Sequence, residues 1–444
     1  GGGCLFFPLK GWKFRAINFC LYAEADRVRR QDMVLRDVAQ TIIDSAIRSS
    51  LPDEAVKRAL KNCRFEKKVH LVAIGKAAWQ MARAAVDCIG SQIQDGIVIT
   101  KYGHIKKEIP GLRLFEAGHP VPDENSCRAT EQVIQMVSAL GEEDVVLFLV
   151  SGGGSALFEK PLIPLAELEN ITTQLLSCGA DITEINTIRK RLSAVKGGRF
   201  GELCKPARVF AVVLSDIIGD PLDMIASGPA CPDVSTAEQA QEIILKYGLT
   251  LSEQAKELLL QSTPKELDNV QTVVTGSVKQ LCRTATQECL RLGYEPHVLT
   301  DSLTCVAKEA GSFLAAIARY HAKDQKPQAY ILGGETVVYL TGKGKGGRNQ
   351  ELALSAAAGI SGLKNVALFS VGSDGTDGPT DAAGGYVDGT TAERLAEQGI
   401  CIADILHDNN AYYALKAADG LIVTGPTGTN VNDLTVLLID VVPT

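Results

Sequence analysis

The chain has 444 residues, of which 45% are hydrophobic and 42 are glycines. This length exceeds a single hydrophobic core, so we expect two or three domains in a soluble α/β protein with many tight βα turns. A formal net charge of −7 argues against nucleic acid as the main partner. The lack of any run of about 18 apolar residues argues against a membrane span. Twelve cysteines without a CxxC pair argue against a zinc site or a disulfide framework.

Residues 1–32 differ from the rest of the chain. No methionine precedes Met33, and the first 23 residues carry three basic side chains and no acidic one. This composition loosely resembles a transit peptide, although it lacks serine and acidic residues soon follow. The alternatives are a disordered, non-native or upstream-encoded extension, and we exclude the segment from the fold prediction.

The first predicted elements place a lysine at the end of a buried strand. Helical patterns run from Val34 to about Ser50 and again after Pro52, and the apolar strand 69–75 follows. Lys76 comes directly after this strand, at a helix start, where open α/β sheets bind ligands. A surface lysine in the first helical turn is the structural alternative, but the helix dipole disfavours a cation there.

A glycine-rich turn follows the next buried strand. Strands are predicted at 95–100 and 111–116 and a helix at 126–139, and then residues 144–158 read DVVLFLVSGGGSALF. The apolar run predicts a strand of a parallel sheet. Three glycines then allow positive φ angles and a close approach of backbone N–H groups to an anion. The turn is a candidate phosphate cradle, with an unliganded βα turn as the alternative, and its residues are Ser151, Gly152, Gly153, Gly154 and Ser155.

Two further polar stretches follow in the first half of the chain. In residues 186–199, NTIRKRLSAVKGGR, spacings of three, four and three predict one helix face that carries Asn186, Arg189, Ser193 and Lys196. A solvated charged face is the alternative. In residues 208–229, a strand that ends at Leu214 brings Ser215, Asp216 and Asp220 to one loop, where carboxylates hold Mg²⁺ or cap the turn.

The C-terminal part contains a GxGxxG match at residues 342–347. Strands are predicted at 270–275 and 296–300, and the polar segment 322–328 marks a domain boundary. The glycine match is weak evidence for a dinucleotide, because glycines interrupt the preceding strand. The side chains around it are more informative: Glu335 precedes the glycines, and Arg348, Asn349 and Glu351 open the next helix.

A second carboxylate loop ends the strand of residues 365–372. It carries Asp374, Asp377 and Asp381, and the alternatives to a magnesium site are a calcium-like structural loop and plain turn chemistry. A glycine, threonine and asparagine loop then lies between the last two predicted strands. No Walker A pattern occurs in the chain.

Taken together, these stretches resemble the glycerate kinases of the MOFRL family over roughly residues 34–442. The resemblance rests on the ordered motifs VAIGKAA, SGGGSAL, NTIRKRLSAVKGGR, SDIIGDPLDMIASGP, GGETVV, GKGGRNQELAL, SVGSDGTDGPTDAAGG and TGTNVNDL. It implies an α/β protein with a Rossmann-like, mainly parallel sheet in an N-terminal domain, residues 33–322, and a smaller C-terminal MOFRL domain, residues 328–444. The implied activity is ATP-dependent phosphorylation of D-glycerate, with 2-phosphoglycerate as product, in the cleft between these domains.

The resemblance also implies a location and cofactors. The family is mainly cytosolic, which agrees with the reducing compartment that the cysteines favour, with mitochondrial forms in some animals. ATP and Mg²⁺ are the expected cofactors, and the sequence leaves open whether the protein is a monomer or a homodimer.

The residues fit this chemistry, since phosphoryl transfer needs positive charge, a metal and a group that orients the hydroxyl. We expect Lys76, Lys196 and Arg348 to supply charge and the glycine turn to hold phosphate. Arg189 or Arg348 would bind the glycerate carboxylate. The other predicted substrate contacts are Asn186, Glu335, Asn349 and Glu351, and the predicted metal or base carboxylates are Asp216, Asp220, Asp374 and Asp377.

Two other functions stay open. An NAD(P)H-dependent hydroxypyruvate reductase would use the GxGxxG match, but the residues about 20 positions beyond the glycines contain no acid for the ribose. A catalytically silent protein of the same fold that binds a small acid is the other, because fold does not determine function.

Overall fold

A computed structural model describes residues 34–441, and the prediction for residues 1–32 lies outside the described residues. The first sheet has six parallel strands in the order β3-β2-β1-β4-β5-β6, which is the strand order of the Rossmann dinucleotide fold. The chain runs outward from β1 to β3 and returns to the other side of β1 with β4. The strands are β1 Lys68–Ile74, β2 Ile93–Lys101, β3 Leu112–Ala117, β4 Asp144–Val150, β5 Arg208–Leu214 and β6 Val270–Gly276.

The helices of this part of the chain are α1 Leu35–Ser49, α2 Pro52–Leu60, α3 Ala78–Ile89, α4 Glu124–Ser138, α5 Gly154–Leu157, α6 Leu165–Ser177, α7 Ile182–Arg191, α8 Arg199–Leu203, α9 Ala237–Tyr247 and α10 Glu253–Leu259. The central strands β1, β4 and β5 are mostly apolar and are buried after their first residue, because both faces of the sheet are covered. Helices α6, α7, α9 and α10 pack in a hydrophobic cluster of their own.

The second sheet is mixed, with the order β11-β10-β9-β12-β8-β7. Its β7 and β8 run parallel and its other pairs are antiparallel. The strands are β7 Glu295–Leu303, β8 Gln328–Gly334, β9 Val366–Gly372, β10 Gly384–Asp388, β11 Leu421–Ile422 and β12 Asp433–Ile439. The helices are α11 Val278–Arg291, α12 Ala307–His321, α13 Arg348–Gly359, α14 Thr391–Glu397, α15 Ile402–His407 and α16 Ala411–Ala417. The two-part α/β fold predicted from the sequence is confirmed.

The boundary between the two domains lies where the chain passes from the first sheet to the second. The predicted boundary at 322–328 separates β7 from β8, yet these two strands pair with each other. We therefore propose a boundary between β6 and β7, and we use "first domain" for residues up to 276 and "second domain" for residues from 295. Within residues 34–441, no helix has the length and hydrophobicity needed to cross a membrane.

The N-terminal helix joins the two domains. Arg36 in α1 donates hydrogen bonds to the carbonyl oxygens of Asp419 and Leu421, each at 3.0 Å, and its guanidinium lies over the ring of Tyr386. The apolar face of α1 packs in one hydrophobic core with residues of β1 and of β9. The domains therefore share buried apolar surface.

Candidate active site

The glycine turn after β4 lies at the point where the strand order of the first sheet reverses. Ser151 is buried there, and its Oγ accepts a hydrogen bond from the N–H of Ala77 (3.1 Å) and donates one to the carbonyl of Ile74 (3.2 Å). The carbonyl of Gly152 accepts a hydrogen bond from the N–H of Lys76 (2.8 Å). The hydroxyl of Ser151, which we predicted to contact phosphate, therefore joins the ends of β4 and β1.

The three glycines are required by close neighbours. A Cβ atom on Gly152 would lie 2.5 Å from Oδ2 of Asp216, and one on Gly153 would lie 3.1 Å from Nε2 of His119. Gly153 also has a φ of 86°, which favours glycine. The backbone N–H groups of residues 152–155 have no acceptor within the described part of the chain. Four successive free N–H groups make an anion-binding concavity, which is the geometry expected of a phosphate cradle.

Lys76 and Asp216 flank this turn from β1 and β5. The Lys76 side chain is exposed, and its Cγ would lie 3.2 Å from a Cβ on Gly153. Burial raises the pKa of Asp216, while the charge of Lys76 lowers it and the charge of Glu335 raises it. Among residues 34–441, no side chain donates a hydrogen bond to the Asp216 carboxylate, since Asn432 donates to its backbone carbonyl.

The predicted helix face at residues 186–199 is wrong in its second half. The helix α7 ends at Arg191, so Ser193 and Lys196 lie beyond it. Arg199 ends the helix by donating hydrogen bonds to the carbonyls of Lys190 and Arg191. Cationic side chains often bind the last carbonyls of a helix in this way.

Lys196 nevertheless contacts the end of the glycine turn. It is fully buried, and its Nζ donates hydrogen bonds to the carbonyls of Ser155 (2.7 Å) and Phe158 (3.1 Å) and lies 3.4 Å from Glu159. Burial lowers the pKa of Lys196 to about 8. This lysine holds the turn in place, and its ammonium does not face the cleft where we predicted it would bind phosphate.

Arg189 and Asn186 remain beside the turn. Arg189 donates a hydrogen bond from Nη2 to the Ser155 carbonyl (3.2 Å), and its Nε is buried without a hydrogen-bond partner. Asn186 accepts a hydrogen bond from Ser227 (2.9 Å), whose hydroxyl lies 3.0 Å from that of Ser155. Ala226 and Ser227 both have positive φ angles, and backbone strain of this kind is concentrated at functional sites.

The second domain contributes an arginine at the start of α13. Arg348 donates hydrogen bonds from Nε (2.5 Å) and Nη2 (2.9 Å) to the buried Asp433, and its Nη1 lies 3.4 Å from Glu335. Asn432 donates hydrogen bonds to the carbonyl of Asp216 (3.1 Å) and to Glu335 (3.3 Å). The two domains therefore place their charged groups in one cleft.

Sequence reasoning missed three residues of this cleft: His119, Asn432 and Asp433. His119 lies two positions beyond β3, as Lys76 lies two beyond β1 and Asp216 two beyond β5, so its place relative to a strand end was an available signal. Asn432 and Asp433 belong to the TGTNVNDL motif, but their pairing with Asp216, Glu335 and Arg348 depends on contacts across the fold.

The four predicted metal carboxylates do not form one cluster. Asp220 pairs with Lys279 (3.1 Å), and Asp377 accepts hydrogen bonds from the backbone N–H groups of Asn349 and Gln350 at the start of α13. Asp374 accepts a hydrogen bond from the N–H of Thr376 in its own turn (2.9 Å). No group of three or more metal-binding side chains occurs within residues 34–441. Asp216 alone of the four lies beside the glycine turn.

The GxGxxG loop is packed against another loop of the second domain. The backbone N–H groups of residues 341, 342, 343 and 345 donate hydrogen bonds to the side chains of Asp408, Asn409 and Asn410, and that of Gly344 donates to the Asp408 carbonyl. A Cβ on Gly342 would lie 2.3 Å from the Cα of Asp408. These glycines allow two backbones to approach, and the contact occupies the N–H groups of residues 341–345.

Asn349 and Glu351, which we predicted to contact substrate, are also part of this packing. Asn349 is buried and accepts a hydrogen bond from Ser370 (2.6 Å), and Glu351 is buried and accepts one from Asn409 (3.2 Å). Their contacts orient α13 and therefore Arg348. Both side chains are occupied by hydrogen bonds within the second domain, and their assignment as substrate contacts stays a prediction.

Comparison with known proteins agrees with this architecture. A family model described as a domain of unknown function, DUF4147, matches residues 38–260, and the MOFRL family model matches residues 328–433. A D-glycerate 2-kinase of Thermotoga maritima is 51% identical over 91% of this chain and 98% of its own length. The chain belongs to the MOFRL family of glycerate kinases. The predicted resemblance is confirmed.

Other relatives also match this chain over nearly its whole length. The crystal structure of the Thermotoga maritima glycerate kinase superposes with a TM-score of 0.87 over 91% of this chain and 99% of that one. A glycerate 2-kinase of Pyrococcus horikoshii is 39% identical over 92% of this chain and 98% of its own length. A relative in Agrobacterium vitis, 38% identical over 94% of this chain and 98% of its own length, carries a provisional name as a hydroxypyruvate reductase.

Proposed function

We propose that this family member is an ATP-dependent kinase that phosphorylates D-glycerate at its 2-hydroxyl. The observation that carries the proposal is the meeting of the free N–H groups of residues 152–155 with Lys76 and Asp216 of the first domain and Arg348 and Glu335 of the second. Positioned charge is what phosphoryl transfer requires from a protein. The choice of the 2-hydroxyl follows the relatives named as 2-kinases.

The groups of the cleft divide into three roles. The N–H groups of residues 152–155 bind the transferred phosphoryl, and Lys76 and Arg348 stabilise the charge on its oxygens. Asp216 accepts the proton of the attacking hydroxyl, because its carboxylate is half-buried and has no cationic hydrogen-bond partner. Arg189 binds the glycerate carboxylate, because its Nε has no hydrogen-bond partner and its Nη2 lies 3.5 Å from Glu159, whereas Asp433 holds the fork of Arg348 at 2.5 and 2.9 Å.

The cleft offers oxygen ligands that fit Mg²⁺. This ion commonly takes only one or two carboxylates beside phosphate oxygens and water, so a cluster of three carboxylates is not needed. Glu335, which faces Asp216 through Asn432, is the carboxylate that we assign to it. When bound, Mg²⁺ supplies charge neutralisation for the transferring phosphate.

The purified protein with ATP, Mg²⁺ and D-glycerate tests the proposal. We expect ADP to form with a phosphoglycerate whose phosphorus spectrum identifies the 2-isomer, and L-glycerate is the matched control substrate. A folded protein that makes no phosphoglycerate at saturating ATP and D-glycerate would overturn the kinase proposal. A shift in melting temperature with glycerate but no turnover would instead support the silent acid-binding protein.

The reductase alternative has a separate arm in the same experiment. NADH and hydroxypyruvate replace ATP and D-glycerate, and we expect no oxidation of NADH. The packed GxGxxG loop favours this outcome, because the backbone N–H groups of residues 342–345 are already bonded to residues 408–410. We place the reaction in the cytoplasm on the resemblance alone, since the mitochondrial alternative depends on residues 1–32.

A further inference from the structure

The charge of the side chains changes sign along the carboxyl edge of the first sheet. Lys101 ends β2, and Lys76, His104 and His119 follow β1, β2 and β3, so three neighbouring strands end in basic side chains. On the other side of the glycine turn, β5 ends in the carboxylate of Asp216. The turn therefore has a basic side and an acidic side.

His119 is the member of the basic side that no structural role explains. Its ring is half-buried, its Nε2 would lie 3.1 Å from a Cβ on Gly153, and no partner for either ring nitrogen occurs in the described chain. Lys76 approaches the same glycine, its Cγ at 3.2 Å. An imidazole without a partner within the described chain thus lies beside Gly153 of the turn.

The other groups of this corner are near enough to act on His119. Burial lowers the pKa of His119, and the charges of Lys76, Lys101 and His104 lower it further. His104 is oriented by its own hydrogen bond, which it donates from Nδ1 to the Lys76 carbonyl (2.9 Å). A neutral imidazole still has one N–H to donate to an anion.

We infer that the ends of β1, β2 and β3 form the subsite for the polyphosphate of the nucleotide, and that His119 donates a hydrogen bond to it. The acceptor substrate then lies on the β5 side, between Asp216 and Arg189. This inference rests on the proposed kinase function and adds the direction in which the donor enters.

The distribution of charge favours a polyphosphate over the glycerate carboxylate on the basic side. A polyphosphate spreads several negative charges along a chain of oxygens, which matches basic groups from three adjacent strands. A carboxylate is satisfied by one guanidinium, and Arg189, whose Nε has no partner and whose Nη2 lies 3.5 Å from Glu159, stands on the other side. Asp216 would repel a polyanion placed on the acidic side.

The experiment compares His119→Ala and His119→Gln with the wild type and with His297→Ala. His297 lies in β7, outside the cleft, and stacks on Tyr330, so its removal is the matched control for loss of an imidazole. Binding of ADP with Mg²⁺, and of inorganic tripolyphosphate, is measured by calorimetry. The KM values for ATP and for D-glycerate are measured separately, and melting temperature reports folding.

We expect His119→Ala to weaken the binding of ADP and of tripolyphosphate about tenfold and to raise the KM for ATP by a similar factor, as for one lost hydrogen bond to a charged group. The KM for D-glycerate should stay unchanged, and His119→Gln, which keeps an N–H donor, should recover part of the loss. His297→Ala should change none of these values.

Three results would overturn the inference. One is an unchanged ADP affinity in folded His119→Ala, another is a rise confined to the KM for D-glycerate, and the third is a wild type that binds neither ADP nor tripolyphosphate. If His119→Ala does not fold, His119→Phe, which keeps a ring and has no N–H donor, decides by the same values. A wild type that binds ADP through His119 but makes no phosphoglycerate would refute the kinase proposal and leave the polyphosphate subsite supported.

Discussion

Lys76 and Lys196 show how the surroundings of one residue type separate two roles at the residue scale. Lys76 is exposed at the end of β1 and borders the free N–H groups of the glycine turn. Lys196 is fully buried and donates hydrogen bonds to two carbonyls of the chain that follows the same turn. The first lysine is available to a ligand, and the second stabilises the backbone that the ligand would contact.

Replacing Lys76 by alanine should reduce kcat and leave stability unchanged. An electrostatic contact made in the transition state is worth about 3 to 4 kcal/mol, or roughly a hundredfold to a thousandfold in rate. The side chain is exposed, so its removal leaves no buried cavity. Steady-state kinetics and thermal melts check this, with Lys256→Ala on the surface helix α10 as the control, and turnover near that of the wild type would return Lys76 to a surface role.

Replacing Lys196 by methionine should change how stability depends on pH. The pKa of Lys196 is about 8 in the folded protein, whereas a lysine exposed to water, as in the unfolded chain, has a pKa of 10.5. Because the folded pKa is lowered, the unfolded chain holds more protons between these two values, so the free energy of unfolding contributed by this residue rises with pH across that window.

The measurement is urea unfolding of the wild type and of Lys196→Met at intervals from pH 7 to pH 10. The difference in the free energy of unfolding, wild type minus variant, should increase above pH 8. Subtraction removes the titration of the buried cysteines, which both proteins share. Parallel pH profiles would show that Lys196 does not titrate in this range.

At the scale of elements, the site is built from the carboxyl ends of parallel strands and the loops that follow them. Lys76, His119, the glycine turn and Asp216 each follow a different strand of the first sheet. Parallel strands bring these ends to one edge, and the reversal of strand order between β1 and β4 opens a crevice there. The strand order of the sheet therefore determines where the glycine turn lies. The side chains that pack against the turn determine that its residues are glycines.

Gly153→Ala should lower activity more than stability. Gly153 and Gly362 have similar positive φ angles, 86° and 81°, so alanine at either position should cost roughly 1 kcal/mol of backbone strain. A Cβ on Gly362 has no heavy atom within 4 Å, whereas one on Gly153 meets His119 and Lys76. Gly362→Ala should melt earlier with normal kinetics.

The same kinetic assay on Gly153→Ala should show a lower kcat and a higher KM for ATP at a comparable loss of melting temperature. If both variants keep wild-type kinetics, the contact of His119 and Lys76 with the turn has no role in turnover.

At the scale of the whole molecule, the two domains are joined at the site and also behind it. Thr429 donates a hydrogen bond to the carbonyl of Ser50 (2.7 Å), and Asn432 bridges Asp216 and Glu335. Arg36 of α1 binds the second domain at Asp419 and Leu421. These contacts hold the charged groups of the domains face to face.

Arg348→Ala should reduce both kcat/KM and stability. The loss of charge stabilisation lowers kcat/KM, and the loss of the partner leaves the buried Asp433 carboxylate unpaired, which costs about 3 kcal/mol. The double variant Arg348→Ala/Asp433→Asn should recover most of the stability, because no buried charge is left, and none of the activity.

Unfolding and steady-state kinetics of the three proteins check this prediction. Recovery of activity together with stability in the double variant would show that Arg348 serves only the packing of its own domain.

The sequence by itself predicted the α/β class and the strands of the first sheet, because apolar runs, glycines and helix starts are local signals. It located Lys76, the glycine turn, Asp216 and Arg348 correctly at the ends of strands or the start of a helix. The ordered motifs also identified the family, which the comparisons confirm.

Only the tertiary structure decided which polar residues face the cleft. Lys196, Asn349 and Glu351 have the residue types of a site, yet burial and hydrogen bonds to their own domain occupy them. The GxGxxG glycines serve a contact with residues 408–410 that lie far away in sequence. A residue type is local information, whereas the direction of a side chain and its partner depend on contacts between distant parts of the chain, which form only when the sheets and domains pack.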